Sequence, residues 1–436
     1  MENTHTIPAR ETTPSNEEDS QLSRLLKTLG PGLLFASTAI GVSHLVQSTR
    51  AGANYGYALL WAIIIANLLK YPSFEYGSRY ANATGESLID GYKRFGNWAL
   101  YLYLFITVSP MSIIIAAICF TTAGLLNNLL GLDLPVIHTA LFLIVGCVSI
   151  LLVGKYSALD SLIKVICTVL FLSTLTAFVL TLLRGPTAPV AFYSSEVWTA
   201  SGFAFLIALM GWMPAPLDLS ALNSLWTLER FKQTGYRPTL RETLLDFNVA
   251  YVMTAFLAVC FMTLGAFIMY GSGQSFSNQS GTQFTHEVIR LYTATLGDWS
   301  YIIIASSAFS VMFGTTLVIF DGYARAMDRT WALLFSRSQD GPGSRTVYNT
   351  WLVIGAVGGY LIIALFLTSF TTLIDLATVI SFLVAPIIAL ANHRLVLSPH
   401  VPAAAHPPHW LRLLSWTGIV FLTVFTLVYI GLRLVP

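Results

Sequence analysis

Two short interruptions, each inside an apolar run long enough to cross a bilayer, restrict what this chain can fold into. One is Ala39-Ile40-Gly41-Val42-Ser43-His44, the other Met210-Gly211-Trp212-Met213-Pro214-Ala215-Pro216. In hydrocarbon no water satisfies a broken backbone, so an interrupted helix persists only where protein buries it or where it lines a cavity. Pro214 and Pro216 have no N–H, which deprives the carbonyls of Met210 and Trp212 of their intrahelical donors. Carbonyls released at mid-depth suit a cation or a substrate N–H. The half-helix that begins beyond the break presents a partly positive end. Interrupted helices at matching places in two halves of a chain point to a carrier's substrate site.

Composition agrees with this reading. Of 436 residues 55% are hydrophobic and 10% charged, and the mean hydropathy is +0.69, which predicts a polytopic all-α membrane protein with the lipid bilayer as its main partner. No basic tract suggests nucleic acid, and nothing calls for a cofactor. Cys119, Cys147, Cys167 and Cys260 lie far apart in apolar runs without a CxxC pair, so they read as small buried hydrophobes. Residues 1–20 are polar, with no apolar stretch. That argues against a cleaved leader and predicts a disordered tail over 1–28.

About eleven spanning segments of ~20 residues fit the chain, at roughly 30–54, 56–78, 97–127, 134–154, 160–183, 200–228, 243–271, 299–324, 348–368, 372–392 and 411–433. Pro31 suits a first helical position. With the N-terminus in the cytoplasm, 17 of the 23 Lys and Arg fall on the cytoplasmic side. Four (Arg50, Arg184, Arg290 and Arg433) fall outside, and Lys70 and Lys164 lie within segments. This bias predicts a multi-pass protein of the cell (inner) membrane with the N-terminus cytoplasmic and the C-terminus outside. Five helices at 29–184 and five at 198–392 then form two inverted repeats, each opening with a broken helix. A linker covers 185–197, a cytoplasmic loop 393–410, and 411–436 adds an eleventh helix. The stretch 271–285, rich in Gly, Ser, Asn and Gln, reads as a flexible extracellular link.

Gly30-Pro31-Gly32-Leu33-Leu34 and then Ala51-Gly52-Ala53-Asn54-Tyr55-Gly56-Tyr57-Ala58-Leu59-Leu60-Trp61 resemble, with no gap in the match, the GPG…AGAxFGYxLLW stretch of the Nramp (natural resistance-associated macrophage protein) family of proton-coupled divalent-metal transporters. Met213-Pro214 resembles the start of that family's MPHN motif. The resemblance implies the LeuT-type fold. It also marks departures. The family's first-helix DPGN falls on Gly41-Val42-Ser43-His44, so its metal-binding Asp is replaced by Gly41 and its Asn by His44. MPHN falls on Met213-Pro214-Ala215-Pro216, which keeps the thioether of Met213 and loses a His to Ala215. A further family His corresponds to Ser220, and Thr378 stands where a family Gln completes the site. The third segment, which in the family carries acidic residues of a proton path, has no Asp, Glu or His between Thr107 and Asn127.

The candidate substrate site is therefore Gly41, Ser43, His44, Met210, Trp212, Met213, Asp218 and Thr378, with His44 and Met213 as candidate metal ligands. His44 could ligate a soft metal, hydrogen-bond a solute, or satisfy freed carbonyls. Met210 and Met213 could offer sulfur or simply fill core. Asp218, two residues past the break, could bind a cation, take a proton, or stabilise the start of a half-helix. Ser37, Thr38 and Ser43 could add hydroxyls, though such residues often bond their own backbone. Lys70 and Glu75, five apart, read as snorkelling or paired with each other. Asp321, Asp375 and His138 lie nearer segment ends, where interfacial solvation explains them. Two cargoes remain open: a metal cation, as the resemblance implies, or a small organic or other non-metal solute held by freed backbone groups and His44. A non-transporting sensor leaves the paired breaks unexplained. No HExxH, GxSxG or GxxxxGK[ST] occurs, which argues against an enzyme or an ATP-driven pump.

Overall fold

The computed structural model describes residues 28, 30–153, 156–272, 281–335, 344–365 and 370–434. Most of the expected tail over 1–28, and residues 273–280 of the expected 271–285 link, lie outside the described residues. All eleven apolar segments are helical. In chain order the helices are α1 (Pro31–Ala39), α2 (Thr49–Tyr55), α3 (Leu60–Thr84), α4 (Leu88–Arg94), α5 (Asn97–Leu130), α6 (Val136–Val153), α7 (Tyr156–Arg184), α8 (Ala200–Gly211), α9 (Leu219–Thr234), α10 (Leu240–Ile268), α11 (Gly281–Leu296), α12 (Tyr301–Phe335), α13 (Arg345–Leu365), α14 (Phe370–Val396) and α15 (His409–Leu434). Seven of the described helices are long and apolar enough to cross a membrane. The remaining four segments are the two broken ones, α3, which carries Lys70, Glu75 and Arg79, and α7.

Two helices were not expected. Ser87 and Asp90 form a reciprocal cap that starts α4. The helix α11 replaces the last part of the predicted loop 271–285, because its apolar residues Val288, Ile289 and Leu291 find a core to enter. Polar composition at 271–280 hid that amphipathic start.

Both interruptions are present. The first helix ends at Ala39, turns over Ile40–Val42, and resumes as a π-helical turn, Ser43–Ser48, that runs into α2. Single π-turns tend to mark functional sites. The sixth segment ends at Gly211 and resumes at Leu219. The halves have different neighbours: α8 packs on α14, whereas α9 packs on α3. Both halves of the first segment pack on α10.

Lipid removes most of the hydrophobic advantage of helix–helix burial, so close contact depends on small residues that let backbones meet. The crossing of α2 and α10 is built this way. A Cβ on Gly52 would lie 1.9 Å from the Met262 carbonyl, and one on Gly265 would lie 2.2 Å from the Thr49 carbonyl. Elsewhere large apolar side chains point outward, among them Phe105 at 70%, Phe142 at 73% and Leu183 at 79% exposure. Water would penalise such a surface; acyl chains do not.

Candidate functional site

The two breaks meet at the centre. Ser43 Oγ lies 2.7 Å from Ala39 O, 3.2 Å from Pro214 O and 2.8 Å from His44 Nδ1. One hydroxyl proton thus faces three acceptors, and Ser43 is the joint between the first and sixth segments. His44 Nε2 lies 2.8 Å from Thr254 O, which can only accept, so Nε2 carries a proton and donates it there. In the neutral ring Nδ1 is then an acceptor, and it shares the single Ser43 proton with Ala39 O and Pro214 O. Both nitrogens of His44 are therefore engaged within the protein, and metal ligation by His44 would require giving one up.

The other predicted residues are buried as well. Gly41 faces α12, where an added Cβ would meet Thr315 Cγ2 at 3.3 Å; Thr315 Oγ1 donates to Ser37 O at 2.8 Å. Trp212 donates from Nε1 to Ser381 Oγ at 2.8 Å, fastening the break to α14. Met213 is packed in the apolar core. Asp218 sits at the cap position of α9 without a side-chain cap bond and accepts the Tyr323 hydroxyl at 3.1 Å. Thr378 donates to Ile374 O at 2.9 Å and lies 3.5 Å from Gln47 Nε2.

The reading of Lys70 and Glu75 is corrected. Lys70 has no exposed surface and neither snorkels nor pairs with Glu75. Its ammonium donates to Met210 O at 2.6 Å and Gly211 O at 2.8 Å. The Met210 carbonyl, expected to be open to a cation or substrate, thus has a resident partner. Glu75 is paired instead with Arg79 one turn on, at 2.5–3.1 Å. A lysine at the end of Ala62-Ile63-Ile64-Ile65-Ala66-Asn67-Leu68-Leu69 was the available signal, and its partners, 140 residues away, were not.

Asp375 is corrected too. Interfacial solvation accounts for it only in part: its side chain is 34% exposed, while Arg50 grips it at 2.7 and 3.2 Å and Gln47 adds a bond at 3.0 Å. The Arg50 guanidinium also lies 4.9 Å from the Phe205 ring centre. This cluster ties α2, α14 and α8 together above Thr378. At the opposite end Asp246 accepts from the backbone N–H of Gly30 at 3.4 Å and of Gly32 at 2.7 Å, capping α1 from α10. Cavities open at both ends. One of about 610 Å³ is lined by Glu86, Asp90, Glu229, Lys232, Arg237 and Asp328; another of about 430 Å³ is lined by Thr187, Met269, Ser272, Glu287 and Arg290. Neither cavity is lined by a residue of the two breaks.

If the Arg50–Asp375 cluster is what closes its end, Asp375→Ala should expose Thr378. A Thr378→Cys probe in a cysteine-free background should then react with a membrane-impermeant thiol reagent faster than in the Asp375 parent. Equal rates would mean that the seal lies elsewhere.

Two broken helices meeting at a buried centre are the architecture of a multi-pass membrane transporter. The family model described as natural resistance-associated macrophage protein-like matches residues 32–431, and the chain belongs to this Nramp family. An uncharacterized protein, PM0681, of Pasteurella multocida is 36% identical over 407 residues, 92% of each chain. The divalent metal cation transporter MntH of Staphylococcus aureus is 20% identical over 427 residues, covering 94% of this chain and 92% of its own. A mutant of the manganese transporter of Eremococcus coleocola superposes with a TM-score of 0.73 at 14% identity, covering 94% of this chain and 87% of that one. This last likeness bears on the fold, which is LeuT-type.

Proposed function

We propose that this protein is a secondary transporter that carries a small solute by alternating access about the joint between its two breaks. The observation that carries this reading is the Ser43–Pro214 contact, which links the two breaks, beside the different neighbours of the two halves of the sixth segment. The two five-helix units, 29–184 and 198–392, are read as inverted repeats that rock against each other. The basic loops favour a cytoplasmic N-terminus and an external C-terminus in the cell (inner) membrane. On that orientation Arg50–Asp375 closes the outside, and Asp246 holds α1 on the inside.

Kinship with proteins called divalent metal cation transporters supports a metal cation as cargo class. The side chains argue for an altered site. The position of the family Asp is Gly41, His44 has both nitrogens engaged, and no group of three or more His, Cys, Asp or Glu among the described residues could hold a metal ion. A divalent ion favours carboxylate ligands, and removing it from water without one costs several kcal/mol. Because 1.4 kcal/mol is already about tenfold in affinity, Mn²⁺ binding of the ordinary family strength is not expected. A small organic or other non-metal solute on the same scaffold is the second reading, favoured by the hydroxyls and carbonyls at the joint. Calorimetry of purified protein tests the choice. The expected result is no low-micromolar Mn²⁺ affinity; such an affinity that vanishes in Met213→Ala would restore the ordinary metal site. Uptake of metals and organic solutes into proteoliposomes tests transport itself.

A further inference from the structure

The amine of Lys70 sits where a half-helix ends. The last carbonyls of α8, at Met210 and Gly211, lie where the chain turns into Trp212-Met213-Pro214; Met210 O has no i+4 donor, because Pro214 has no N–H, and keeps only turn contacts from the Trp212 N–H and from the Met213 N–H at 3.4 Å. They form the partly negative end of a helix dipole, within the protein interior. Such a cup suits a cation. Lys70, reaching across from α3, places its Nζ 2.6 and 2.8 Å from the two oxygens, lengths typical of charge-assisted bonds.

The cup cannot retreat from the amine. Gly211 lies so close to α14 that a Cβ there would be 2.0 Å from Thr378 O. Nor can Lys70 turn to solvent, since it is fully enclosed by packed side chains. A buried ammonium without partners is costly, so a lysine retained here must be satisfied by this contact.

We infer that Lys70 is a specificity-determining residue: a tethered cation that fills the carbonyl cup of the sixth segment and keeps small inorganic cations out of it. The inference rests on the transporter reading and deepens it. Gly41 withholds a negative charge from the centre and Lys70 supplies a positive one, and both changes disfavour a metal ion there. Cargo at the joint is then held by neutral polar groups such as Ser43 and Thr378.

The test compares wild type, Lys70→Met and Lys70→Ala by thermal unfolding in detergent. Choline chloride is set against sodium, potassium, manganese(II) and ethylammonium chlorides at equal ionic strength. The wild-type midpoint should be the same in all salts. Lys70→Ala should melt several degrees lower in choline and regain at least half of that loss, saturably, with a small cation that enters the vacated cup. Lys70→Met, which fills the space without charge, should lose stability and regain little. A purely structural lysine would give losses that no cation repairs, and cation-blind Lys70→Ala protein would overturn the inference. So would saturable stabilisation of the wild type by any of these cations over choline, an arm that stands even where the variants do not fold. A wild type that carries nothing in proteoliposomes would count against the transporter reading and leave the melting comparison intact.

Discussion

Glu75→Gln should lower the stability of the protein by about 3–5 kcal/mol, the usual cost of removing one partner from a buried ion pair. Glu75 is 1% exposed and Arg79 6%. Three guanidinium–carboxylate bonds join them, and the remaining arm of Arg79 donates to Ala405 O at 2.8 Å, fastening the turn between α14 and α15 onto α3. Neutralising the carboxylate leaves a guanidinium that can neither reach water nor find another anion. The double variant Glu75→Gln, Arg79→Met removes both charges and should recover most of the loss, because the pair itself returns little beyond its own desolvation. A double-mutant cycle on thermal unfolding in detergent checks this. Additive losses, with the double variant worse than either single one, would mean that the two side chains act independently.

Gly52→Ala should be nearly as damaging, at about 3 kcal/mol or more, the upper end of overpacking. The new methyl would have to sit 1.9 Å from the Met262 carbonyl and 2.7 Å from the Ala266 nitrogen, and neither backbone atom can rotate away. The half-helix α2 would then be pushed off α10, taking Gln47 and Arg50 away from Asp375. Loss of both thermal stability and uptake is expected. Gly146→Ala in α6 is the control, since nothing lies within 4 Å of its added Cβ, and alanine's better helix propensity should leave it neutral or slightly stabilising. Equal behaviour of the two variants would contradict the close crossing.

The glycine at 52 shows what kind of information crossed from sequence to structure. Ala51-Gly52-Ala53 was legible as a resemblance, but its reason, two backbones in contact through Gly52 and Gly265, needed the partner helix. The breaks were legible outright. Proline chemistry at 214 and 216, and an uninterrupted supply of apolar residues around both stretches, determine that helices form there and fail there, whatever packs against them. The eleven apolar segments and their order follow from the same local rules.

What local rules could not decide was which charge meets which. Lys70 and Glu75 are five residues apart and appeared to be each other's natural partners. In the fold one turns to the carbonyls of Met210 and Gly211, the other to Arg79. Asp375 resembled a solvated end residue until α2 brought Arg50 to it from 325 positions away. The place of His44 in the break was legible, but only the approach of Thr254 and Ser43 determines what its two nitrogens face. Helix formation depends on each residue and its near neighbours, so the sequence alone determined where the helices run and where they break. Charge pairing inside a membrane depends on distance through a low-dielectric interior, and that distance was decided by the packing of helices far apart in the chain.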